Sequence, residues 1–296
     1  AWGPCRSRGR EGVGPSAFPR DYGGSGAGQG RRTRLIEEAA RVCSTTASLI
    51  TGTDLSTRAI VAGGSAALKR EIVPRLLTGE LQSAFGLTEP GAGSDVRGLR
   101  TTFRREGDGY VINGRKKFIT RASTADWMVI VGRREDDAGT FMAALVPRDA
   151  PGLSISAEDG KRGWWGVPIS SLERREVRAP MSHRLGEEGE GFSLAQDALL
   201  RARIGHAAMA LGRAMGAVEI AATYAPDRQS FGKPLAAHQG VQWMLSDMVT
   251  QIEAGRALLN VTAEKYDRGD ADVAVYASMA KQHATDLGMK VATAAL

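Results

Sequence analysis

Cysteine and histidine are scarce in this chain, with two of the first and four of the second among 296 residues. Cys5 and Cys43 form neither a CxxC pair nor a disulfide framework, so free thiols in a reducing compartment are expected. His183, His206, His238 and His283 are scattered without metal-ligand spacing, and no metal is expected. No apolar run approaches the ~20 residues of a spanning helix, which argues against a membrane protein. Aromatic residues make up only 6 %, and no aromatic-basic module accompanies the net charge of +6, so nucleic acid is not an expected partner. The surplus reads as an Arg-rich solvated surface that also suits phosphate-bearing ligands.

What is present is enough apolar material, 42 % of residues, for a substantial core in one large domain or about two. Residues 1–32 form a Gly/Arg-rich lead without apolar periodicity and without the apolar stretch of a secretory signal. Its arginines would allow an organelle transit peptide, but its glycines disfavour an amphipathic helix. Helical character begins near Arg34, is interrupted by Ser44-Thr45-Thr46, and continues to about Arg58. Leu68, Ile72 and Leu76 give a short helix over Ala67 to Leu77, interrupted by Pro74.

From Leu81 the pattern changes to short β-rich segments: Gln82–Leu87, Gly98–Arg105, Tyr110–Asn113, Lys116–Thr120, Trp127–Val131, Phe141–Val146 and Leu172–Val177. Asp108-Gly109 and Asn113-Gly114 are the clearest hairpin signals. Strands at this spacing suggest a barrel or sandwich rather than alternating βα units. The Gly186–Gly191 run marks the next boundary. Beyond it Leu200, Ile204, Ala207, Ala208 and Leu211 form one apolar stripe, and Val241, Met244, Leu245, Met248 and Ile252 another. The expected fold is therefore α+β and multidomain. It comprises the lead (1–32), a partial N-terminal helical domain (33–80), a middle β-domain (81–188) and a partial C-terminal helical bundle (189–296).

The most specific stretch is Thr88-Glu89-Pro90-Gly91-Ala92-Gly93-Ser94-Asp95. Alone it reads as a tight connection, with Pro90 fixing φ and Gly91 and Gly93 permitting unusual dihedrals. It is followed by Tyr110-Val111-Ile112-Asn113-Gly114, Lys116 and Phe118-Ile119-Thr120. Then come Arg228-Gln229-Ser230-Phe231-Gly232-Lys233-Pro234-Leu235 and His238-Gln239. This series resembles the acyl-CoA dehydrogenase family, which reads T-E-P-x-A-G-S-D, Y-x-I-N-G-x-K-x-(W/F)-I-T and R-x-x-F-G-K-x-L-x-x-H-Q in the same order. Phe18-Pro19-Arg20-Asp21-Tyr22-Gly23-Gly24-Ser25-Gly26 resembles the family's P-x-x-Y-G-G-x-G loop, here after a short lead where the family has helices.

The resemblance implies a helix–β–helix architecture and an FAD-dependent oxidoreductase. The reaction takes a proton from the α-carbon of an acyl-CoA thioester and a hydride from its β-carbon. It implies that Phe85, Leu87 and Thr88 line the flavin, that Phe118, Ile119 and Thr120 lie along its ring and edge, and that Ser94 lies near phosphates and the CoA chain. Arg228 would reach the FAD pyrophosphate from a neighbouring subunit, with Ser230, Phe231, His238 and Gln239 nearby, which requires a homodimer or homotetramer. Leu200 and Arg203 match the substrate-facing helix. An electron-transfer flavoprotein is the implied acceptor, and the cytoplasm, or the mitochondrial matrix in a eukaryote, the implied setting.

The chain departs from the family at the base. The position three before Arg203, usually acidic, is Leu200. The position just before it, glutamate in a minority of members, is Ala202. The commoner late position falls beyond Leu296, so the resemblance implies a truncated copy with no nameable base. Asp197 is a poor substitute. A non-catalytic flavin- or CoA-binding scaffold, an acyl-CoA oxidase and a flavin monooxygenase are the competing readings.

Overall fold

A computed structural model describes residues 18–296; Cys5 and the part of the lead before Phe18 lie outside the described residues. Contacts divide the chain into two compact units. One gathers residues 18–25 with Gly52–Leu199, and the other gathers Gly26–Thr51 with Leu200–Leu296.

The first unit is built on seven strands: β1 (Ser83–Gly86), β2 (Thr102–Glu106), β3 (Gly109–Thr120), β4 (Trp127–Arg134), β5 (Phe141–Pro147), β6 (Leu153–Ile155) and β7 (Ile169–Pro180). They form one curled sheet in the order β1-β4-β2-β3-β7-β6, with β5 on β4. β1 and β2 run parallel to β4, and the other pairings are antiparallel. β4 and β5 are continuous apolar runs because both of their faces are covered. Val129, Val131, Ala143 and Leu145 join a core with Ile60, Ile72 and Leu76. Their alternates Met128, Ile130, Met142, Ala144 and Val146 join a second core with Tyr110 and Ile112.

Two local expectations need correction. The β2–β3 hairpin exists, but Glu106 pairs with Gly109, so its turn is Gly107-Asp108, one residue earlier than expected. Asn113-Gly114 is not a turn; it lies inside β3. Opposite it β7 carries an extra residue, and the Asn113 amide stitches that bulge by donating to the Glu176 carboxylate and accepting from Glu176 N at 2.8 Å. Gly114 is required here: its φ is +142°, and a Cβ would fall 2.6 Å from Thr101 Oγ1.

Of the helices, α1 (Gln29–Val42) starts earlier than the expected Arg34, and the break before α2 (Ser44–Gly63) falls on Cys43 alone. In α3 (Ala66–Leu77) Pro74 does not interrupt the helix. It lies in the last turn, where losing one N–H affects a single intrahelical bond, while Leu68, Ile72 and Leu76 stay buried. Ser65 Oγ caps α3 by accepting from Leu68 N at 3.2 Å.

The second unit contains α1 and most of α4 (Gly191–Tyr224), then α5 (Gln239–Arg268) and α6 (Val273–Ala294). Gly212 and Gly216 let α4 pass close to α1, since a Cβ at either would fall 2.2 Å from the Glu37 or Arg41 carbonyl. Ile204, Ala207, Ala208 and Leu211 are buried as expected, and Leu200 is half-buried. On α5 only Met248 and Ile252 of the expected stripe are buried; Val241 and Leu245 are half-buried and Met244 is exposed. The apolar stripe therefore outruns the core that this chain supplies. Among the described residues no helix is long and apolar enough to cross a membrane, and no cluster of metal-ligand side chains occurs.

Candidate active site

The end of β3 explains why an aromatic ring stands in the open. Lys116 pairs with Leu172 and Ile119 with Ser170, so β3 has two residues where β7 has one. Lys116 and Ile119 both turn inward, and the extra residue throws Lys117 and Phe118 outward. Phe118 is 58 % exposed at a φ of +58°, a region that costs a bulky residue free energy. The Lys117 ammonium lies 4.9 Å from its ring centroid. Thr120 is exposed beside it, whereas the Ile119 side chain belongs to the core and offers only its backbone.

The Thr88–Asp95 stretch meets this bulge directly. Lys117 N donates to Thr88 O at 2.9 Å, which brings the first two motifs side by side. Below them Lys116 Nζ, with no exposed surface, donates to Leu87 O at 2.9 Å and to Glu89 Oε1 at 2.7 Å. Glu89 also accepts from Arg100 N, Thr101 N and the Thr101 hydroxyl. Burial pushes the Lys116 ammonium down to about 7, against the opposing pull of Glu89. Burial raises Glu89, but Lys116 and the three other donors outweigh it and hold the carboxyl below its ordinary range. Glu89 and Lys116 were visible in the motifs, yet no role attached to them from sequence; they fix the backbone of Leu87 and Thr88.

The exposed face carries a consistent set of groups. Phe85 is half-buried on β1, Leu87 is buried, Thr88 is half-buried and Ser94 is exposed on the loop. Among the described residues the hydroxyls of Thr88, Ser94 and Thr120 make no hydrogen bond. One exposed aromatic ring and three hydroxyls without a hydrogen bond suit a flat ligand with a polar edge. Alongside opens a cleft of ≈ 450 Å³ lined by Pro90, Arg115, Lys117, Ser156, Ser171 and Glu173 among others. These are neighbours of the expected residues rather than those residues themselves. Arg115 is tied to Glu173 at 3.0 Å.

In the second unit, the third motif folds into a small hairpin that the sequence did not announce. Gln229–Ser230 (β8) pairs with Lys233–Pro234 (β9), and Phe231 and Gly232 turn the chain at φ +50° and +75°. Phe231 is 96 % exposed. The His238 ring lies edge-on to it at 6.2 Å and its Nε2 lies 3.0 Å from Ser230 O. Arg228 and Gln239 are exposed at the hairpin's base and at the start of α5.

On α4, Arg203 is exposed, and Leu200 and Ala202 are half-buried. Asp197 is engaged elsewhere: the Arg58 guanidinium donates to its carboxylate at 2.7 Å.

The family models for the acyl-CoA dehydrogenase N-terminal, middle and C-terminal domains match residues 5–80, 84–177 and 189–296. Cyclohex-1-ene-1-carbonyl-CoA dehydrogenase of Geobacter metallireducens is 39 % identical over 283 residues, which cover 94 % of this chain and 74 % of the relative. Butyryl-CoA dehydrogenase from Megasphaera elsdenii matches with a TM-score of 0.94 at 33 % identity, over 98 % of this chain and 78 % of that one. A glutaryl-CoA dehydrogenase from Mycobacterium smegmatis in complex with FADH2 matches at 0.91 and 28 % identity, over 99 % and 76 %. With its three domains matched and its first two motifs meeting at one exposed face, the chain belongs to the acyl-CoA dehydrogenase family.

Proposed function

We propose that this protein is an FAD-dependent oxidoreductase that introduces a double bond between the α- and β-carbons of an acyl-CoA thioester. The observation that carries the reading is the Lys117 N to Thr88 O bond, which joins the two motifs into one ligand-ready face. Bound FAD supplies an acceptor for the substrate's two electrons that no side chain offers.

The chain's own residues hold and orient. Phe118 offers a flat surface for the ring, Thr88 and Thr120 offer hydroxyls to its polar edge, and Ile119 offers backbone groups. Leu87 and Phe85 back that face, and Lys116 keeps the Leu87 carbonyl from turning. Ser94 serves phosphate or the CoA chain. Leu200 and Arg203 are the proposed substrate residues of α4, and Arg203 suits the phosphates of coenzyme A because a guanidinium binds them bidentately. No side chain is assigned the α-proton.

Arg228, Ser230, Phe231, His238 and Gln239 serve a second copy's pyrophosphate in a homodimer or homotetramer. Trp243, at 62 % exposed, and Met289, at 72 %, give that association apolar surface. A strictly monomeric species at micromolar concentration that still holds FAD would contradict this arrangement. An electron-transfer flavoprotein is the proposed acceptor, in a cytoplasmic or mitochondrial-matrix setting.

The test is turnover of saturated acyl-CoAs with two acceptors in parallel. An enoyl-CoA product formed with an electron-transfer flavoprotein, and little with oxygen, supports the reading. Peroxide formed in step with product would make the protein an oxidase instead.

A further inference from the structure

Arg174, at the centre of β7, is 1 % exposed. None of its three guanidinium nitrogens has a hydrogen-bond partner among the described residues. Its position follows from strand alternation: Ser170, Leu172 and Arg174 all point inward, while Arg175 points out. Burial pushes the Arg174 guanidinium down to about 10, against the pull of Glu89, so it still carries its charge at neutral pH, and burying it bare is destabilising. Such a group calls for a reason.

Its surroundings supply one. Leu172 pairs with Lys116 and Arg174 with Gly114, so Arg174 is the diagonal neighbour of Lys116 on the inward face of the sheet. Both cations draw on one carboxylate, Glu89, which Lys116 already occupies at 2.7 Å. While Lys116 is protonated, the interior beneath Leu87 and Thr88 therefore carries two cations against one carboxylate. A buried charge is screened far less by salt and water than an exposed one.

We propose that Arg174 is a positioning residue for redox poise, its buried charge favouring the reduced, negatively charged form of a flavin held on the Thr88–Phe118 face. This rests on the flavin reading above. Oxidised flavin takes up two electrons and one proton, and so gains one net negative charge. Arg174 never touches the cofactor; it acts through the field it projects past Lys116 and the Leu87–Thr88 backbone. A unit charge at ~10 Å in partly buried surroundings changes such a preference by about tenfold.

The test is the flavin midpoint potential of the FAD-loaded protein with Arg174, Arg174→Lys, Arg174→Met and Arg174→Gln, alongside their melting temperatures. Arg174→Met and Arg174→Gln should shift the midpoint negative by the equivalent of about tenfold, or about 30 mV for a two-electron couple. Arg174→Lys, which keeps the charge, should stay near the parent. Arg174→Met should melt no lower than the parent, because it removes a bare buried cation. An unmoved midpoint in Arg174→Gln would overturn the proposal even if Arg174→Met failed to fold, and would leave the flavin reading intact. A parent protein that holds no FAD would overturn both.

Discussion

Lys116 Nζ lies 2.7 Å from Glu89 Oε1, with 0 % and 5 % of the two side chains exposed. The two residues come from motifs separated by most of two strands, and their pairing locks one motif to the other. Glu89→Gln leaves the Lys116 charge buried without a counter-charge and should destabilise the protein by about 3–5 kcal/mol. Glu89→Leu with Lys116→Met removes both charges and should recover much of that loss. Urea midpoints of the parent, the single variant and the double variant measure both statements. Equal losses in the single and double variants would contradict them.

The same pair sets an acid response. Glu89 has an ordinary value of 4.5 and is held lower in the folded protein. The unfolded chain therefore binds the proton more readily, and the stability from Glu89 is fully present above pH 4.5 and lost as pH falls through the folded value. Melting temperature should drop across that acid window in the parent. Glu89→Gln should start lower at neutral pH and show a smaller drop.

Phe118 joins strain to exposure. Phe118→Gly removes the unfavourable left-handed backbone of a bulky residue and should leave the apo-protein about 0–1 kcal/mol more stable. It should also weaken FAD binding by about 3- to 10-fold through loss of the ring contact. Denaturant titration of apo-protein and flavin titration read the two effects separately. A loss of stability with unchanged FAD affinity would make Phe118 a structural residue.

Asp197 is the nearest carboxylate along α4 to Arg203, and Arg58 holds it. With both side chains about one-third exposed, the pair contributes about 0.2–1 kcal/mol. Asp197→Asn should cost no more than that and leave the rate of flavin bleaching by acyl-CoA unchanged. A rate loss of about 100-fold or more would identify Asp197 as the base.

How much of this was legible in the sequence varies by residue. The strand-rich middle and the helical ends follow from periodicity, and Phe118 and Thr120 from the resemblance. The bulge that exposes Phe118 was readable in principle, since two inward residues three apart, Lys116 and Ile119, break a two-residue repeat. Pro74 misled because its cost depends on how much helix follows it. Asn113-Gly114 misled because a turn signal becomes a bulge when a long neighbouring strand covers it. Arg174 occupies an inward register position, but a charged residue reads as surface until its neighbours are known. The Phe231-Gly232 turn escaped notice because phenylalanine is rarely placed at positive φ.

The central claim is that the Thr88–Phe118–Thr120 face holds FAD for acyl-CoA chemistry. Its most direct test is to denature the purified protein, identify the released flavin, and titrate the intact protein with saturated acyl-CoAs without oxygen. The account predicts FAD, a flavin spectrum that acyl-CoA perturbs and bleaches, and a Thr120→Val variant whose unliganded spectrum is altered by loss of a hydrogen bond worth about 0.5–1.5 kcal/mol. Release of FMN, a colourless protein that FAD does not reconstitute, or a flavin that no acyl-CoA perturbs would contradict it.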